Sequence, residues 1–256
     1  KTTTSYMLTE MCQTDNVQGV IAGNMGTAFS KCVFDELMEP NNKRFYILEC
    51  SSFQMEFIKY FSPLIALYTN ISPDHLDRHG SMSEYISMKL KMIKNMKAGS
   101  SVVYNSDDEL LKQNLKNLDH QLYPFSIKDG NSIFRLIDNQ IISPDGIPLV
   151  KTSELRLPGD HNIYNFISAA TCAYLAGINI DKIKSVLKSF KGVAHRLEYI
   201  CKINKVDYIN DSKATNLDSV IAAINSFSKP VILLMGGYDK GANFQQLLPH
   251  ILPSNI

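Results

Sequence analysis

The chain alternates short apolar runs with segments of helical periodicity. Four such runs, each four to six residues long, are followed by polar or small residues. Strands that are apolar on both faces are typical of parallel sheets covered by helices. We therefore predict an α/β fold with a mostly parallel sheet. The predicted strands are 17–22, 45–48, 64–68 and 101–104, and the predicted helices between them are 2–13, 27–38, 83–97 and 108–118.

The pattern changes after residue 120. Residues 121–157 alternate apolar and polar side chains, with turn signals at 129–130 and 144–146. This alternation predicts a small antiparallel sheet attached to the parallel one. Helical periodicity returns at 162–176 and 181–190.

A second domain is predicted to begin close to Gly192. Beyond it the sequence indicates a hairpin, a polar loop at 210–216, a helix and an apolar strand at 231–235. We therefore predict a central domain over 1–193 and the beginning of a second, Rossmann-like α/β domain over 194–256.

Composition narrows the classes of function. Hydrophobic residues make up 45% of the 256 residues and charged residues 20%, without a run of 18 apolar residues, so we expect a soluble protein. The net charge of +1 gives no electrostatic reason to expect binding to nucleic acid or to a membrane. The five cysteines lack metal-type spacing and are expected to be reduced thiols of a cytosolic protein. Because Lys1 is not a methionine and the α/β alternation is unfinished at Ile256, we interpret the sequence as a piece cut at both ends.

The first residues, Lys1-Thr2-Thr3, have the form of the end of a phosphate-binding loop. In such a P-loop the lysine reaches the nucleotide phosphates and the hydroxyl binds magnesium. An ordinary helix start with threonine caps fits the same residues. Glu49, directly after the predicted strand 45–48, supplies the second metal-binding carboxylate that a P-loop requires.

Residues 74–79 place two acids, two histidines and an arginine after another predicted strand. This density of charge favours a magnesium or phosphate site. His79 precedes Gly80 and is interpreted as a turn residue rather than a ligand.

Lys89 lies within the apolar sector of the predicted helix 83–97, between Tyr85 and Met92. A lysine at such a position commonly extends its amine to water. Alternatively, its pKa is lowered by burial, and the neutral amine adds carbon dioxide to give a metal-binding carbamate.

Three further segments carry polar groups suited to a nucleotide or an anion. Each also fits a purely structural interpretation: the first a helix cap, the second a surface ion pair and the third a glycine-rich turn. The segments are 157–165, which includes Asn162 and Asn165; 195–198, which includes Arg196; and 236–241, which includes Lys240.

The heptad Asn210-Asp211-Ser212-Lys213-Ala214-Thr215-Asn216 lies at a predicted strand-to-helix junction. It sets a carboxylate, an ammonium and a hydroxyl at the carboxyl end of a sheet, where open α/β sheets bind ligands. A simple loop does not require this combination.

Together, these motifs in this order resemble the Mur ligase family, ATP-dependent amide-forming enzymes of peptidoglycan precursor synthesis. The residues that carry the resemblance are NDSKATN at 210–216, LECSSFQ at 48–54 and NISPDHLDRHG at 70–80, with Cys50 where leucine is common. Within the family, the heptad is typical of the ligases that add D-glutamate to UDP-N-acetylmuramoyl-L-alanine.

The resemblance implies a reaction and a set of ligands. ATP phosphorylates the alanyl carboxylate, and the D-glutamate amine attacks the acyl phosphate. The implied cofactors are ATP, Mg²⁺ at two sites and a carbamate on Lys89. The partners are these small molecules alone, and the protein is expected to be a monomer in the bacterial cytoplasm that serves cell-wall synthesis, cell shape and division. Because the uridine-binding domain, the P-loop glycines and most of the C-terminal domain are missing, this piece alone is expected to be inactive.

The resemblance also implies a role for each candidate residue in catalysis or in binding ATP, metal or substrate. The implied catalytic residues are Lys1, His75, Lys89 and Lys213. The implied ATP contacts are Lys1, Thr2, Thr3, Asn162, Asn165, Arg196 and Asp211. The implied metal ligands are Thr2, Glu49, His75 and Lys89, and the implied substrate contacts are Asn24, Ser51, His75, Lys213, Thr215 and Lys240.

Three alternatives remain. One is an amide ligase of the same superfamily, such as a folylpolyglutamate synthase-like enzyme, that takes another amino acid. Another is a P-loop NTPase without ligase activity, and the third is a scaffold that has lost its chemistry. The heptad argues against the first two, and the charged residues Lys1, Glu49 and Lys213 argue against the third.

Overall fold

The computed structural model describes residues 1–40, 43–116, 118–227, 229–237 and 243–251. The chain divides into two compact units. The first contains Lys1–Leu155 and Tyr164–Ser189, and the second contains Arg156–Ile163 and Phe190–Ile256. None of the described helices is both long and apolar enough to span a bilayer.

The first unit begins with a helix that is followed by a β–α–β arrangement. Helix α1 buries Met7, Met11 and Cys12 along one face, as its spacing of apolar residues requires. The two strands that follow pair in parallel, from Gln18 opposite Arg44 to Gly23 opposite Glu49. These elements are α1 (Thr2–Cys12), β1 (Gln18–Gly23), α2 (Phe29–Met38) and β2 (Arg44–Glu49).

A second parallel sheet has the strand order β3-β4-β5. Its buried face packs against Tyr85, Ile86 and Ile93 of the helical segment between β3 and β4. The elements are α3 (Ser52–Glu56), β3 (Ile65–Tyr68), α4 (Leu76–His79), α5 (Met82–Leu90), a 3₁₀ turn (Lys91–Asn95), β4 (Ser101–Asn105), α6 (Glu109–Leu115) and β5 (Gln121–Phe125). The predicted helix 83–97 is therefore an α-helix followed by a 3₁₀ turn.

The parallel α/β class is confirmed, with one correction at 121–125. These residues were predicted to belong to the antiparallel region, but β5 pairs in parallel with β4. The partly exposed strand lies at the edge of its sheet, where Pro124 is tolerated. Its mixed polarity therefore reflects the edge position and not the strand direction.

The predicted small antiparallel sheet is present after β5. Three strands pair in the order β6-β7-β8, and Asp138 and Asn139 form the first turn with positive φ angles. The elements are β6 (Arg135–Ile137), β7 (Gln140–Ile142), β8 (Pro148–Lys151), α7 (Asp160–Leu175) and α8 (Ile180–Ser189). The first turn of α7 counts with the second unit.

The second unit contains a two-stranded antiparallel hairpin whose turn, Asn204-Lys205, has positive φ angles. The predicted strand 231–235 is wrong: these residues have no regular structure, and Ile232 and Leu234 are 87% and 91% exposed. A strand needs a paired neighbour, and the described residues offer it none. The elements are β9 (Glu198–Ile203), β10 (Val206–Asn210), α9 (Leu217–Ile224), a 3₁₀ turn (Phe244–Leu247) and α10 (Leu248–Ile251).

Candidate functional site

The N-terminus of α1 presents the predicted phosphate-binding residues. Lys1 is the exposed N-cap, and the three threonines after it are buried. The Thr4 hydroxyl donates to Asn165 Oδ1 at 2.9 Å, which ties the first turn to α7 within the first unit. The first N–H groups of a helix lack intrahelical acceptors and carry partial positive charge. This end of α1 is therefore suited to an anion.

Glu49 ends β2 as a buried carboxylate. Its Oε1 accepts from Asn24 Nδ2 at 3.1 Å, and its backbone carbonyl accepts from the Asn24 N–H at 2.7 Å. Its other oxygen, Oε2, is buried with no hydrogen-bond partner among the described residues. Gly23 has a φ of 99°, and a Cβ there would lie 2.6 Å from the Glu49 carbonyl. A buried carboxylate oxygen without a donor favours a cation beside it.

Ser51 follows two residues later as the N-cap of α3. Its hydroxyl accepts from the Gln54 N–H, and the Gln54 side chain accepts from the Ser51 N–H, which together form a capping box. Asn24 and Ser51, both predicted to contact substrate, therefore flank Glu49 on two neighbouring turns at the carboxyl end of the sheet.

Lys89 is half-buried near the end of α5. Its pKa is lowered to about 8, first by burial and then by the charge of Lys1, while Asp74 and Asp108 act in the opposite direction. Its ammonium lies 4.8 Å from the centre of the Tyr85 ring. The structure thus places Lys89 in the apolar setting that its helical position predicts.

A cavity of about 350 Å³ joins these groups within the first unit. Lys1, Glu49, Ser51 and Lys89 all line it, and the remaining lining is mostly apolar. Much of that apolar lining comes from two strands, β2 with Phe45, Ile47 and Leu48 and β3 with Ile65 and Leu67. The charged groups predicted from separate motifs therefore share one space.

His75 stands apart from this cavity lining. It adopts a left-handed backbone conformation with a φ of 53°, its Nε2 lies 3.5 Å from Asp74 Oδ2, and its ring centre lies 4.9 Å from that of Phe53. Among the described residues, no group of three or more histidine, cysteine, aspartate or glutamate side chains is close enough to hold a metal. A metal near Glu49 or His75 therefore needs ligands of other kinds, such as hydroxyl, carbamate or phosphate oxygens.

Two other residues of the 74–79 cluster make contacts within the first unit. Arg78 forms an exposed ion pair with Glu56, with 2.9 Å between Nη2 and Oε2. His79 is buried and lies 3.0 Å from Ser52 Oγ. His79 ends α4 directly before Gly80, a position that fits the predicted turn, and its side chain also contacts Ser52, 27 residues away, which local patterns do not reveal.

The second unit holds the other predicted residues around one turn. Asp211 Oδ1 accepts from the Leu197 N–H at 3.1 Å, and the Lys213 N–H donates to the His195 carbonyl at 3.2 Å. Burial raises the pKa of the Asp211 carboxyl, against the effects of that hydrogen bond and of Arg196. Loop 210–216 therefore places the Asp211 carboxylate close to Arg196.

The remaining second-unit residues are held in different ways. Asn162 is buried and its Nδ2 donates to the Pro158 carbonyl at 2.7 Å. Thr215 is exposed, and Asn216 beside it caps α9 by accepting from the Ser219 N–H. Lys240 lies outside the described residues.

Residues 1–173 match the model of the Mur ligase middle domain, so the chain belongs to the Mur ligase family. The chain is also similar, over 97% of its length, to proteins named UDP-N-acetylmuramoylalanine--D-glutamate ligase. Identity is 38% over 252 residues with that of Thermoanaerobacter sp. (strain X514) and 38% over 251 residues with that of Clostridioides difficile (strain 630). The chain spans about half of these curated relatives, since each match covers 55% of the relative.

Solved structures show the same fold at low identity. A UDP-N-acetylmuramoyl-L-alanyl-D-glutamate--2,6-diaminopimelate ligase has a TM-score of 0.65 at 20% identity, covering 88% of this chain and 51% of that one. A MurF ligase from Thermotoga maritima in complex with ADP has a TM-score of 0.62 at 16% identity, covering 88% of this chain and 54% of that one.

Proposed function

We propose that the whole protein to which this chain corresponds is an ATP-dependent ligase that adds D-glutamate to UDP-N-acetylmuramoyl-L-alanine. One observation carries the proposal: Lys1, Glu49 and Lys89 line a single cavity, and one oxygen of the buried Glu49 carboxylate has no donor within the part of the chain that the structure describes. The names of the relatives supply the substrates. The reaction passes through an acyl phosphate, formed when the alanyl carboxylate oxygen attacks the γ-phosphorus and ADP leaves.

The first unit supplies phosphate and metal binding. Lys1 and the first turn of α1, with Thr2 and Thr3, hold the phosphates of ATP. The free Glu49 oxygen fits Mg²⁺, with Thr2 as a further ligand. When bound, Mg²⁺ neutralises charge on the transferred phosphoryl group. Asn24 orients Glu49 through the 3.1 Å hydrogen bond, and with Ser51 it binds the muramoyl-alanine substrate.

We propose that Lys89 carries a carbamate. A pKa of about 8 leaves roughly a tenth of the amine neutral at pH 7. The ammonium first loses one proton; the neutral nitrogen then forms a bond to the carbon of carbon dioxide and loses a second proton. The two steps convert a half-buried cation into an anion close to Lys1. The carbamate oxygens, together with His75, are suited to a second Mg²⁺.

The second unit supplies most of the remaining implied contacts. Arg196 and Asp211 bind ATP, and Asn162 contacts the nucleotide, as does Asn165 of the first unit. Lys213, Thr215 and Lys240 bind D-glutamate, whose amine attacks the acyl phosphate carbon and displaces phosphate. The central domain over 1–193 and the ligase domain from 194 onward are part of the same proposal. The enzyme acts as a monomer in the bacterial cytoplasm on small molecules alone, without a nucleic-acid or membrane partner.

The test is phosphate release by the full-length protein with ATP, Mg²⁺ and UDP-N-acetylmuramoyl-L-alanine. We expect release that depends on D-glutamate and does not respond to L-glutamate. Dependence on a different amino acid would assign another ligase of the superfamily. Release that ignores every amino acid would instead assign an NTPase and overturn the proposal.

A further inference from the structure

Ser52 and His79 form a buried hydrogen bond between two elements that carry candidate site residues. His79 Nε2 lies 3.0 Å from Ser52 Oγ, and both side chains are buried. Ser52 begins α3, directly after Ser51 and three residues after Glu49. His79 ends α4, whose N-cap is His75. One hydrogen bond therefore joins the end of β2 to the loop that bears His75.

The imidazole of His79 also contacts two aromatic rings. It stacks on Phe53, with ring centres 5.6 Å apart and an angle of 17°, and it lies 5.3 Å from Tyr85 at 43°. Phe53 in turn contacts the His75 ring at 4.9 Å, and the Tyr85 ring lies 4.8 Å from Lys89 Nζ. His79 is thus at the centre of a ring cluster with His75 at one end and Lys89 at the other.

The outer face of this cluster is fixed independently. Arg78, next to His79, pairs with Glu56, and Lys91 Nζ donates to the Glu56 carbonyl at 2.6 Å. The first of these contacts joins α4 to Glu56 at the end of α3, and the second joins the 3₁₀ turn to the same residue. The Ser52–His79 contact, in contrast, is buried and involves a ring of the cluster itself.

We infer that His79 is a positioning residue that sets the separation of His75, Lys89 and the Glu49 end of β2. The inference rests on the proposed function, because it assumes that these three groups act on one nucleotide–metal assembly. A histidine satisfies both requirements of the position, a flat ring between Phe53 and Tyr85 and an in-plane nitrogen toward Ser52. Groups that orient metal ligands typically change metal affinity or activity by about 10- to 100-fold when removed.

Two substitutions test the requirement for the hydrogen bond separately from the requirement for a flat ring. His79→Phe keeps the ring and removes the hydrogen bond, and Ser52→Ala removes the same bond from the other side. If the bond is the shared cause, the double variant should be no worse than His79→Phe alone. Arg78→Ala is the matched control, since it removes an exposed ion pair from the same turn of α4.

The readout is the affinity of full-length protein for Mn²⁺, measured by electron paramagnetic resonance with a non-hydrolysable ATP analogue bound. We expect about a 10-fold loss in His79→Phe, Ser52→Ala and the double variant, no change in Arg78→Ala, and wild-type circular dichroism throughout. Wild-type Mn²⁺ affinity in folded His79→Phe and Ser52→Ala would overturn the inference. Because this measurement needs no D-glutamate, a failure of the proposed reaction is detected separately, by the amino-acid dependence of phosphate release in the wild-type protein.

Discussion

The two units hold their candidate residues in contrasting ways. In the first unit, Glu49, Asn24 and Lys89 are fixed by parallel strands, a buried carboxylate contact and an aromatic ring. In the second unit, Asp211 and Lys213 are fixed by backbone hydrogen bonds to the turn at 195–197. The positions of the first-unit residues therefore depend on a packed core, and those of the second-unit residues depend on the hydrogen bonds of one turn.

The buried cores of the two units differ in extent, since most of the buried apolar residues among those described belong to the first unit. In the first unit, Phe125, Phe134 and Phe166 are fully buried. In the second, the hairpin exposes Tyr199 and Tyr208 among other large apolar side chains. An exposed apolar face on a two-stranded hairpin normally requires a further layer. The comparison indicates that a buried core fixes the positions of the candidate residues in the first unit. In the second unit, only contacts within one turn fix them.

The largest expected effect tests the first unit. Glu49→Gln keeps an acceptor for Asn24 but replaces the free oxygen by an amide donor, which cannot bind a cation. We expect phosphate release by the full-length protein to fall roughly 10³-fold, comparable to the loss of one essential electrostatic group. Glu36→Gln, which weakens the ion pair with Arg44, serves as the control. Near-normal turnover in Glu49→Gln would remove this carboxylate from the site.

The next effect tests the turn-held site of the second unit. Lys213→Ala keeps the backbone hydrogen bond to His195 and removes the ammonium. We expect ligation by the full-length protein to fall about 100-fold with little change in melting temperature, because few packing contacts are lost. Lys205→Ala, in the hairpin turn, should have no effect on turnover. Unchanged turnover in Lys213→Ala would exclude loop 210–216 from the mechanism.

Two alanine variants, one in each unit, compare how much a buried and an exposed apolar side chain contribute to stability. Phe125→Ala should lower the free energy of unfolding of this chain by about 3 to 5 kcal/mol, because the ring is fully buried in the first unit. Ile232→Ala should change it by less than about 0.5 kcal/mol, because the side chain is 87% exposed. Urea unfolding followed by circular dichroism gives both values. A large cost at Ile232 would show that its segment is packed in solution.

The smallest expected effect concerns pH and Lys89. Its pKa is lowered to about 8 in the folded state, so between pH 8 and about 10.5 the unfolded chain binds more protons and stability rises with pH. Lys89→Met removes this dependence and should stabilise the protein at pH 7 by on the order of 2 kcal/mol. Denaturant unfolding in buffer free of carbon dioxide measures the difference. If wild type and variant show the same slope against pH, the amine is not desolvated in the fold.

Local patterns were sufficient for most elements and for several site positions. Apolar periodicity predicted α1, β1 to β4 and the apolar setting of Lys89, because each depends on residues within one or two turns. The motif at 1–3 and the carboxylate at 49 were predicted to act together because a P-loop requires a second metal-binding carboxylate at the end of a neighbouring strand. The structure brings both to one cavity.

Other features depended on partners distant in the chain. The pairing of β5 with β4, the absence of a strand at 231–235 and the contact between Ser52 and His79 have no local signature. Each is decided by whether a neighbouring strand or a buried partner is available. The sequence by itself therefore determined the order of the elements and the chemical types at the site. Only the tertiary structure decided which groups are buried and paired, since burial is a property of contacts between segments.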